Sequence, residues 1–180
     1  MATEYVNGIT SKGKIIEIPV EDGVCNCSKQ DLVSIDIQSP EIIRVLNCSS
    51  NKLTSLPAGM VNISNLDCSD NQLSSLPEGM NNLFWLSCQN NRLISLPDGM
   101  ENLKNLDCSF NQLTSLPEGM VNVKNLDCST NQLTSLPEGM PKLSRLNCSS
   151  NRLTSLPKGM ENLMFLMYDD NPDLVVPEYL

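Results

Sequence analysis

The sequence predicts a solenoid, in which short parallel strands stack turn upon turn around one continuous core. A segment of the form Leu-Pro-x-Gly-Met occurs six times at an unbroken interval of 20 residues, first at residues 56–60. A 20-residue unit is too short for a strand and a full crossover helix, so each unit is predicted to be one turn of a coil. Cysteine and asparagine keep the same interval, at Cys48, Cys68, Cys88, Cys108, Cys128 and Cys148, and at Asn51, Asn71, Asn91, Asn111, Asn131, Asn151 and Asn171.

The first part of each unit is predicted to be a short β-strand. In the unit that begins at Leu103, Leu106 and Cys108 alternate with polar neighbours, which is the period of a half-buried strand. Positions 1, 4, 6, 11, 14 and 18 of the unit are apolar. No single turn can bury this set alone, so we expect neighbouring turns to cover one another. Strands are expected in the seven units that begin at Ile43 to Leu163.

The second part of each unit carries residues that suit a turn and an extended return path. Asparagine at position 9 is expected to turn the chain and to bond backbone groups of its own and adjacent turns, forming a stacked ladder. Pro57 and its equivalents fix φ and push the preceding residue toward extended geometry. Gly59 and its equivalents permit a positive φ. The return side is therefore predicted to be extended or polyproline-like, with at most a 3-10 turn.

Residues 1–42 are predicted to form an N-terminal cap, which an open solenoid needs to shield its core. Cys27 lies 21 residues before Cys48, and residues 24–42 as a whole look like one degenerate repeat. Further upstream, apolar residues alternate with Glu and Pro at residues 16–20, which suits an edge strand.

Residues 43–162 hold six complete 20-residue repeats, and residues 163–180 are predicted to form the last repeat and a C-terminal cap. In this last unit Tyr168 replaces the repeated cysteine. The apolar bulk that is expected to cover the core there comes from Met164, Phe165, Met167, Tyr179 and Leu180. The alternative is that this end binds a peptide or a second copy of the chain.

At these residues the chain resembles leucine-rich repeat proteins, in the short 20-residue form that carries Leu-Pro on the return side. The resemblance covers residues 43–180, and this form is found in secreted bacterial effectors and in repeat proteins of bacteria, protists and large DNA viruses. It implies a leucine-rich repeat solenoid, a right-handed curved coil usually classified as α/β, whose concave parallel sheet binds other proteins. Cysteine at position 6 departs from the Leu, Val or Ile of most members. The ubiquitin-ligase domain attached to some bacterial relatives is not expected in 180 residues, so that activity is not implied.

Charge and composition exclude several classes of function. The chain carries 12 Lys and Arg against 21 Asp and Glu, a net charge of −9, whereas nucleic acids and anionic membranes require clustered positive charge. It has no histidine, which removes imidazole metal sites and Ser-His or Cys-His catalysis. No apolar run spans a bilayer, and no secretory signal is visible. We therefore expect no enzyme activity and no cofactor, in a protein of the cytoplasm, which would be the host cytoplasm for an effector or a viral protein.

The cysteines are expected to be reduced thiols in the core. Neighbouring repeat cysteines would lie about 4.8 Å apart with parallel Cβ vectors, which does not suit a disulfide. A buried free cysteine behaves as a small apolar residue. Cys25 and Cys27 are too close in sequence for the usual pair of structural zinc ligands. A disulfide or a metal site is the alternative, and we expect neither.

Three aspartates, Asp67, Asp107 and Asp127, share one outward strand position. Paired carboxylates suit a cation site or acid–base chemistry, but an open sheet offers no pocket for either. We therefore expect a solvated charged face without metal, with a weak cation site as the alternative. Lys104 and Lys124 lie three residues before two of these aspartates, and they are expected to offset the repulsion.

The outward strand positions are predicted to hold the functional information, because the repeats differ there over a continuous surface. Trp85 interrupts a column of asparagines, and tryptophan is a preferred interface anchor. The alternative is that Phe84 and Trp85 fill an irregular gap. The candidate partner-binding residues on the concave face are Trp85, Ser87, Gln89, Asp67, Asn105, Asp107, Phe110, Asn125, Asp127 and Arg145.

The sequence thus predicts a non-enzymatic protein-binding module or scaffold. We expect a monomer that recognises an unidentified partner protein with a basic or polar contact surface, since acidic residues surround Trp85. Two alternatives stay open. One is a substrate-targeting adaptor arm of a ubiquitin-ligase-type enzyme system, and the other is a self-assembling structural protein.

Overall fold

A computed structural model describes residues 4–176 of the chain. Their eleven strands form one sheet, and one 3-10 helix (Pro40–Ile42) lies between the fourth and fifth strands. The N-terminal strands are β1 (Glu4–Thr10), β2 (Ile15–Glu21), β3 (Val24–Asn26) and β4 (Leu32–Ile37). The strands that follow are β5 (Val45–Asn47), β6 (Asn65–Asp67), β7 (Trp85–Ser87), β8 (Asn105–Asp107), β9 (Asn125–Asp127), β10 (Arg145–Asn147) and β11 (Phe165–Met167).

The order and register of the last seven strands confirm the predicted solenoid. Strands β5 to β11 lie side by side in chain order, and every neighbouring pair is parallel. Each residue pairs with its equivalent in the next unit, as Leu106 does with Leu126. One 20-residue unit is therefore one turn, and its return path crosses the opposite side of the molecule without a helix.

The N-terminal end is closed by a sheet that continues from the solenoid. Strand β3 is parallel to β5, with Cys25 opposite Leu46, and β2, β1 and β4 then follow in antiparallel order. Strands β3 and β4 both belong to the degenerate repeat at residues 24–42. Strands β2 and β1 lie between them in the sheet and so link the start of this repeat to its later part. Strand β1 approaches β4 closely at Gly8, where any Cβ would lie 2.7 Å from a methyl group of Leu32.

The expectation of an edge strand at residues 16–20 is wrong. These residues do form a strand with alternating burial, but β2 is flanked by β3 and β1, and the terminal strand at this end is β4. The reason is the hairpin partner β1, which pairs with β2 along its whole length and separates it from the edge.

The core is a set of residue columns that run along the solenoid. Positions 1, 4, 6, 11, 14 and 18 are buried in every turn from the one that begins at Ile43 to the one that begins at Leu143. The repeat cysteines are free thiols with 0% of their surface exposed, which confirms that they face inward. Each turn buries these side chains against the turns before and after it, so no turn has a core of its own.

Asparagine at position 9 forms the predicted ladder, and Asn111 is representative. Its Nδ2 donates to the carbonyl oxygens of Cys88, Cys108 and Ser109 at 3.0, 3.1 and 3.2 Å. Its Oδ1 accepts the backbone N–H of Leu93 at 2.9 Å. One side chain therefore ties its own turn to the preceding one. Among residues 4–176, every buried side-chain nitrogen and oxygen has a hydrogen-bond partner.

A second column of asparagines, at position 20, was not predicted. The Nδ2 of Asn102 donates to the carbonyl of Asn81 in the preceding turn at 3.0 Å. Equivalent bonds are made by Asn62, Asn82, Asn122 and Asn162. These side chains are more exposed than the position-9 ladder, and each donates one bond to the preceding turn. The signal was present in the sequence as a repeated Asn at the end of five units.

The return side of the repeats contains no helix, as predicted, and glycine at position 17 has a positive φ. At Gly59 φ is 87°, and a Cβ there would meet Pro40 at 3.0 Å. A second left-handed position was not predicted: position 8 has φ between 52° and 57° in all seven turns. Asn and Asp tolerate this conformation, but Phe110 and Thr130 adopt it too, which is unusual for bulky and β-branched side chains.

The last turn continues the ladder but leaves its own apolar side chains exposed. Asn171 bonds the backbone of the preceding turn, whereas Leu166 is only partly buried and its equivalents in the preceding turns are at most 3% exposed. The exposed fraction lies between 40% and 84% for Met164, Phe165, Met167 and Tyr168. The first three of these were expected to cover the core, but positions 2, 3 and 5 of a unit point away from it. Tyr179 and Leu180 lie outside the described residues.

Candidate functional site

The outward side of strands β5 to β11 forms a continuous surface, which we call the sheet face. It consists of the side chains at positions 3 and 5 of each turn, because position 4 between them is buried in the core. The position-3 column is Val45, Asn65, Trp85, Asn105, Asn125, Arg145 and Phe165. The position-5 column is Asn47, Asp67, Ser87, Asp107, Asp127, Asn147 and Met167.

A hollow of about 380 Å³, the main hollow, occupies the sheet face between Trp85 on β7 and the last strand, β11. The predicted site residues that line it are Trp85, Asn105, Asp107, Asn125, Asp127 and Arg145. Asn147, Phe165 and Met167 complete its outward lining and were not predicted as site residues. Phe165 and Met167 lie in the last unit, which the sequence assigns to a cap, whereas Asn147 lies in the last complete repeat. Their column positions are the signal that could have found them.

A second, smaller hollow lies on the other side of Trp85. It encloses about 310 Å³ and is lined by Val45, Asn47, Asn65 and Asp67, with Trp85 again at one wall. Trp85 is therefore the partition between the two hollows. Asp67, also a predicted site residue, lies in the smaller hollow.

Ser87 and Gln89 line neither hollow, and the structure explains their departure from the repeat pattern. In the turn that follows, the Oδ1 of Asp107 accepts bonds from the N–H and the hydroxyl of Ser109, at 3.1 and 2.7 Å. In the Ser87 turn the roles are reversed, and the hydroxyl of Ser87 donates to Oε1 of Gln89. Serine at position 5 and glutamine at position 7 therefore exchange the donor and the acceptor of the next turn, and the side-chain hydrogen bond between the two positions is preserved. Since Ser87 is only 5% exposed, its expected role as an outward contact residue is not supported by its position.

Phe110 lies at the rim of the sheet face, outside both hollows. It occupies position 8 of its turn, with the left-handed φ of that position, and its side chain is 58% exposed. The structure therefore places the predicted site residues in four locations: the main hollow, the smaller hollow, the Ser87–Gln89 turn and the rim.

Asp107 is a partly buried carboxylate that has no positively charged partner among residues 4–176. It lies between Ser87 and Asp127 on the neighbouring strands. Burial raises the pKa of Asp107; the bonds from Ser109 oppose this, and the negative charges of Asp127 and Asp67 raise the pKa further. Among the described residues nothing donates to its Oδ2, whereas Oδ2 of Asp127 accepts a bond from Asn147 at 3.0 Å. The floor of the main hollow is therefore acidic and can accept a further donor.

Lys104 and Lys124, which were expected to offset this charge, form no ion pair with these aspartates within the described residues. The Nζ of Lys104 lies 4.4 Å from the centre of the Phe84 ring, and in the described part of the chain the one ion pair joins Lys52 to Asp31 at 2.6 Å. The physical reason is distance, because three residues of extended chain span about 10 Å.

The guanidinium of Arg145, which also lines the main hollow, forms no ion pair with these aspartates in the part of the chain that the structure describes. It lies over the ring of Phe165, 5.0 Å from the ring centre. A cation above an aromatic face is held there by the quadrupole of the ring.

The remaining reactive groups are buried or dispersed. Within residues 4–176, no three Cys, Asp or Glu side chains are grouped in a way that could hold a metal ion. Burial raises the pKa of the Cys108 thiol, and it raises the pKa of Cys148 to about 12, so these thiols are neutral at physiological pH. No helix in the same residues has the length and apolarity to cross a membrane.

Leucine-rich repeat proteins are similar to the chain in sequence and in structure. The family model described as Leucine Rich Repeat matches residues 102–123 and 142–163. YopM from Yersinia enterocolitica is similar with a TM-score of 0.68 and 32% identity, over 77% of this chain and 32% of its own. A leucine-rich repeat protein from Leptospira interrogans has a TM-score of 0.64 and 30% identity, over 75% of this chain and 42% of its own.

A third solved structure, YopM from Yersinia pestis, is described as a leucine-rich effector protein. Its TM-score is 0.67 and its identity 26%, over 78% of this chain and 44% of its own. The chain therefore spans between 32% and 44% of the length of these three structures. No curated protein matches it.

Proposed function

The chain is a leucine-rich repeat protein, and from that premise we propose that it is a non-enzymatic module that binds another protein on its sheet face. The observation that carries the proposal is Trp85, a partly exposed tryptophan that separates two hollows on this face. Tryptophan is enriched among the residues that dominate binding energy at interfaces. The sheet face corresponds to the surface through which solenoids of this family bind their partners.

Packing within the strand does not require an aromatic side chain at Trp85. The same column position is asparagine in the turns before and after it, at Asn65, Asn105 and Asn125, and these strands keep the same register. An aromatic side chain that the fold does not need is best explained by a contact outside the chain.

The proposal of a binding rather than a catalytic role rests on chemistry. The sequence has no histidine, and burial keeps the repeat thiols protonated by raising their pKa, so the usual nucleophiles and bases near neutral pH are missing. The eight cysteines are free thiols, which favours a reducing compartment. We therefore place the protein in the cytoplasm, or in the host cytoplasm if it is an effector.

The test compares protein capture by the full chain and by two matched variants. Trp85→Asn replaces the tryptophan by the residue of the neighbouring turns. Ile94→Thr does the same for an exposed apolar side chain on the return side, where the equivalents are Thr or Ser. Each protein is immobilised and incubated with a lysate of the source organism, and the captured proteins are quantified by mass spectrometry.

The expected result is at least one protein captured by the wild type and by Ile94→Thr but lost from Trp85→Asn. Truncation at a hot spot weakens binding by about 2 kcal/mol or more, which is roughly a 30-fold loss of affinity. Capture that survives in Trp85→Asn with unchanged yield would show that the site lies elsewhere. Capture of ubiquitin-conjugating components by the wild type would favour the adaptor-arm alternative.

A second candidate function, self-association through the last turn, is favoured by the exposed apolar side chains there. Met164 alone is 84% exposed, and β11 is the terminal strand of the sheet. Exposed apolar strand edges promote association. Sedimentation of the full chain over a wide concentration range decides between the two: the binding-module proposal predicts a monomer, and a dimer that is lost in Met164→Ser would favour self-association.

A further inference from the structure

We propose that the main hollow binds an extended segment of the partner protein in which a lysine or arginine lies between two apolar side chains. This inference rests on the proposed function and specifies the chemistry of its partner. One apolar side chain packs on Trp85, the basic side chain reaches Asp107 and Asp127, and the second apolar side chain packs on Phe165 and Met167.

The two ends of the main hollow are apolar, whereas its floor is polar. Trp85 forms one end on β7, and Phe165 and Met167 form the other on β11. The latter two are 43% and 40% exposed. The equivalent positions on the preceding strand β10 carry Arg145 and Asn147, so the apolar character of this end is not a property of the repeat. Exposed apolar surface at both ends of a hollow suits partner side chains that are removed from water there.

The two aspartates on the floor between these ends form no ion pair within the described residues. Oδ2 of Asp107 has no donor in the described part of the chain, and the Asp127 carboxylate lies on the next strand. Arg145, the one cationic residue in the lining, lies over the ring of Phe165. The raised pKa of Asp107 shows that its negative charge is poorly stabilised. A cationic side chain from a partner would supply the missing charge complementarity.

The spacing of the strands fixes the length of the segment. From β7 to β11 there are four strand spacings of about 4.8 Å, or about 19 Å in all, and an extended peptide advances about 3.3 Å per residue. The two apolar side chains are therefore about six residues apart. Asp107 and Asp127 lie on β8 and β9, which are one and two strand spacings from β7. The basic residue therefore lies two or three residues from the side chain that contacts Trp85.

The experiment uses a random nine-residue peptide library displayed on phage, selected on the full chain. A peptide from the enriched pool is synthesised, and its affinity is measured by fluorescence anisotropy. The charge variant carries Asp107→Asn and Asp127→Asn, and its control carries Glu118→Gln and Glu138→Gln on the exposed return side. The apolar variant carries Phe165→Asn and Met167→Asn, and its control is Met164→Ser, which lies outside the lining. Circular dichroism confirms that each variant is folded.

Enriched peptides are expected to carry Lys or Arg between two apolar residues about six apart. Each hollow variant should weaken binding at least tenfold, and each control less than twofold. Binding that is lost in Trp85→Asn but unchanged in both hollow variants would overturn this inference and leave the proposed function intact. Binding that is indifferent to Trp85→Asn as well would contradict both. A library that yields no enriched peptide on the wild type also contradicts the inference.

Discussion

Asp107 is the residue at which binding and folding make opposite demands. The fold needs only an acceptor at this position, since Asn47 and Asn147 accept the same two bonds from the serine that follows them. The carboxylate adds a negative charge that burial and the neighbouring aspartates disfavour. A residue whose charge lowers the stability of the fold is a candidate for a functional role.

The variant Asp107→Asn is predicted to be slightly more stable than the wild type at pH 7. Because the folded-state pKa of Asp107 is raised, its carboxyl favours folding below the unfolded-state pKa and loses that contribution as the pH rises through the folded-state value. Asparagine removes this loss and keeps the bonds to Ser109. We expect the Tm to rise by about 1 °C at pH 7 and the difference to disappear at pH 3. A melting curve at pH 7 with a lower Tm for the variant contradicts the assignment.

Single residues were predicted well where their role is repeated and poorly where it depends on a neighbour. The inward cysteines and the position-9 asparagines follow from periodicity alone. The departures of Ser87 and Gln89 from the repeat pattern were interpreted as a functional signal. The sequence shows the two substituted residues but not the hydrogen bond that joins them. Lys104 was misplaced for the same reason, since its contact with the Phe84 ring is not visible in its spacing from Asp107.

The asparagine ladder is the element that holds successive turns together. Its side chains satisfy backbone groups that would otherwise be unpaired at the end of each strand. The position-20 column provides a natural comparison, because four of its five members are exposed and each member donates one bond to the preceding turn.

The two columns predict different stability losses for the same substitution. Asn111→Ala removes four bonds and leaves partly buried backbone groups unpaired, so the free energy of unfolding should fall by about 2–4 kcal/mol. Asn102→Ala removes one exposed bond to Asn81 and should lower it by about 1 kcal/mol or less. Urea denaturation of both variants measures the difference. Equal losses would mean that the position-9 side chains do not carry the ladder.

At the level of secondary-structure elements, the 20-residue interval predicts the strands of the repeats but not the structure of the two ends of the solenoid. Seven parallel strands follow from the 20-residue period, because each turn must stack in register to bury its leucines. The N-terminal hairpin did not follow, since antiparallel pairing of β1 with both β2 and β4 joins segments that share no repeat. The left-handed position 8 was also missed. Asp70, Asn90 and Asp170 suit a positive φ, but the Ser, Phe and Thr of the other turns hide this signal.

The whole molecule is a column of thiols enclosed by leucines, and this predicts its reactivity. Native protein at pH 8 should react slowly with a thiol reagent, because all eight cysteines are buried and burial raises the pKa of each repeat thiol. Denaturation should expose eight thiols. Among the repeat thiols, Cys148 should react first, since it lies next to the open last turn and has the pKa of about 12.

Mass spectrometry of the labelled protein at successive times identifies the order. Rapid labelling of four or more cysteines in the native state would contradict the inward column. Labelling of Cys88 before Cys148 would contradict the expectation that the thiol next to the last turn reacts first.

The two hollows of the sheet face belong to the whole molecule and could not be predicted from the sequence. Part of their lining was among the predicted site residues, because those residues occupy the outward columns. The boundary at Trp85 and the contribution of Phe165 and Met167 depend on how far each side chain reaches over the neighbouring strands. The repeat pattern of the sequence predicts which column a residue belongs to, but not how far its side chain extends over the neighbouring strands.

The most direct test of the sheet face as the binding surface is a map of amide chemical-shift changes in the isotope-labelled full chain. The probe is a peptide selected on the wild type, added in steps to saturation. The predicted result is that shifts concentrate on residues 105–107, 125–127, 145–147 and 165–167 and on the indole N–H of Trp85, while residues 114–118 on the return side stay unchanged. Shifts confined to the return side, with none at Trp85 or at the main hollow, would contradict it.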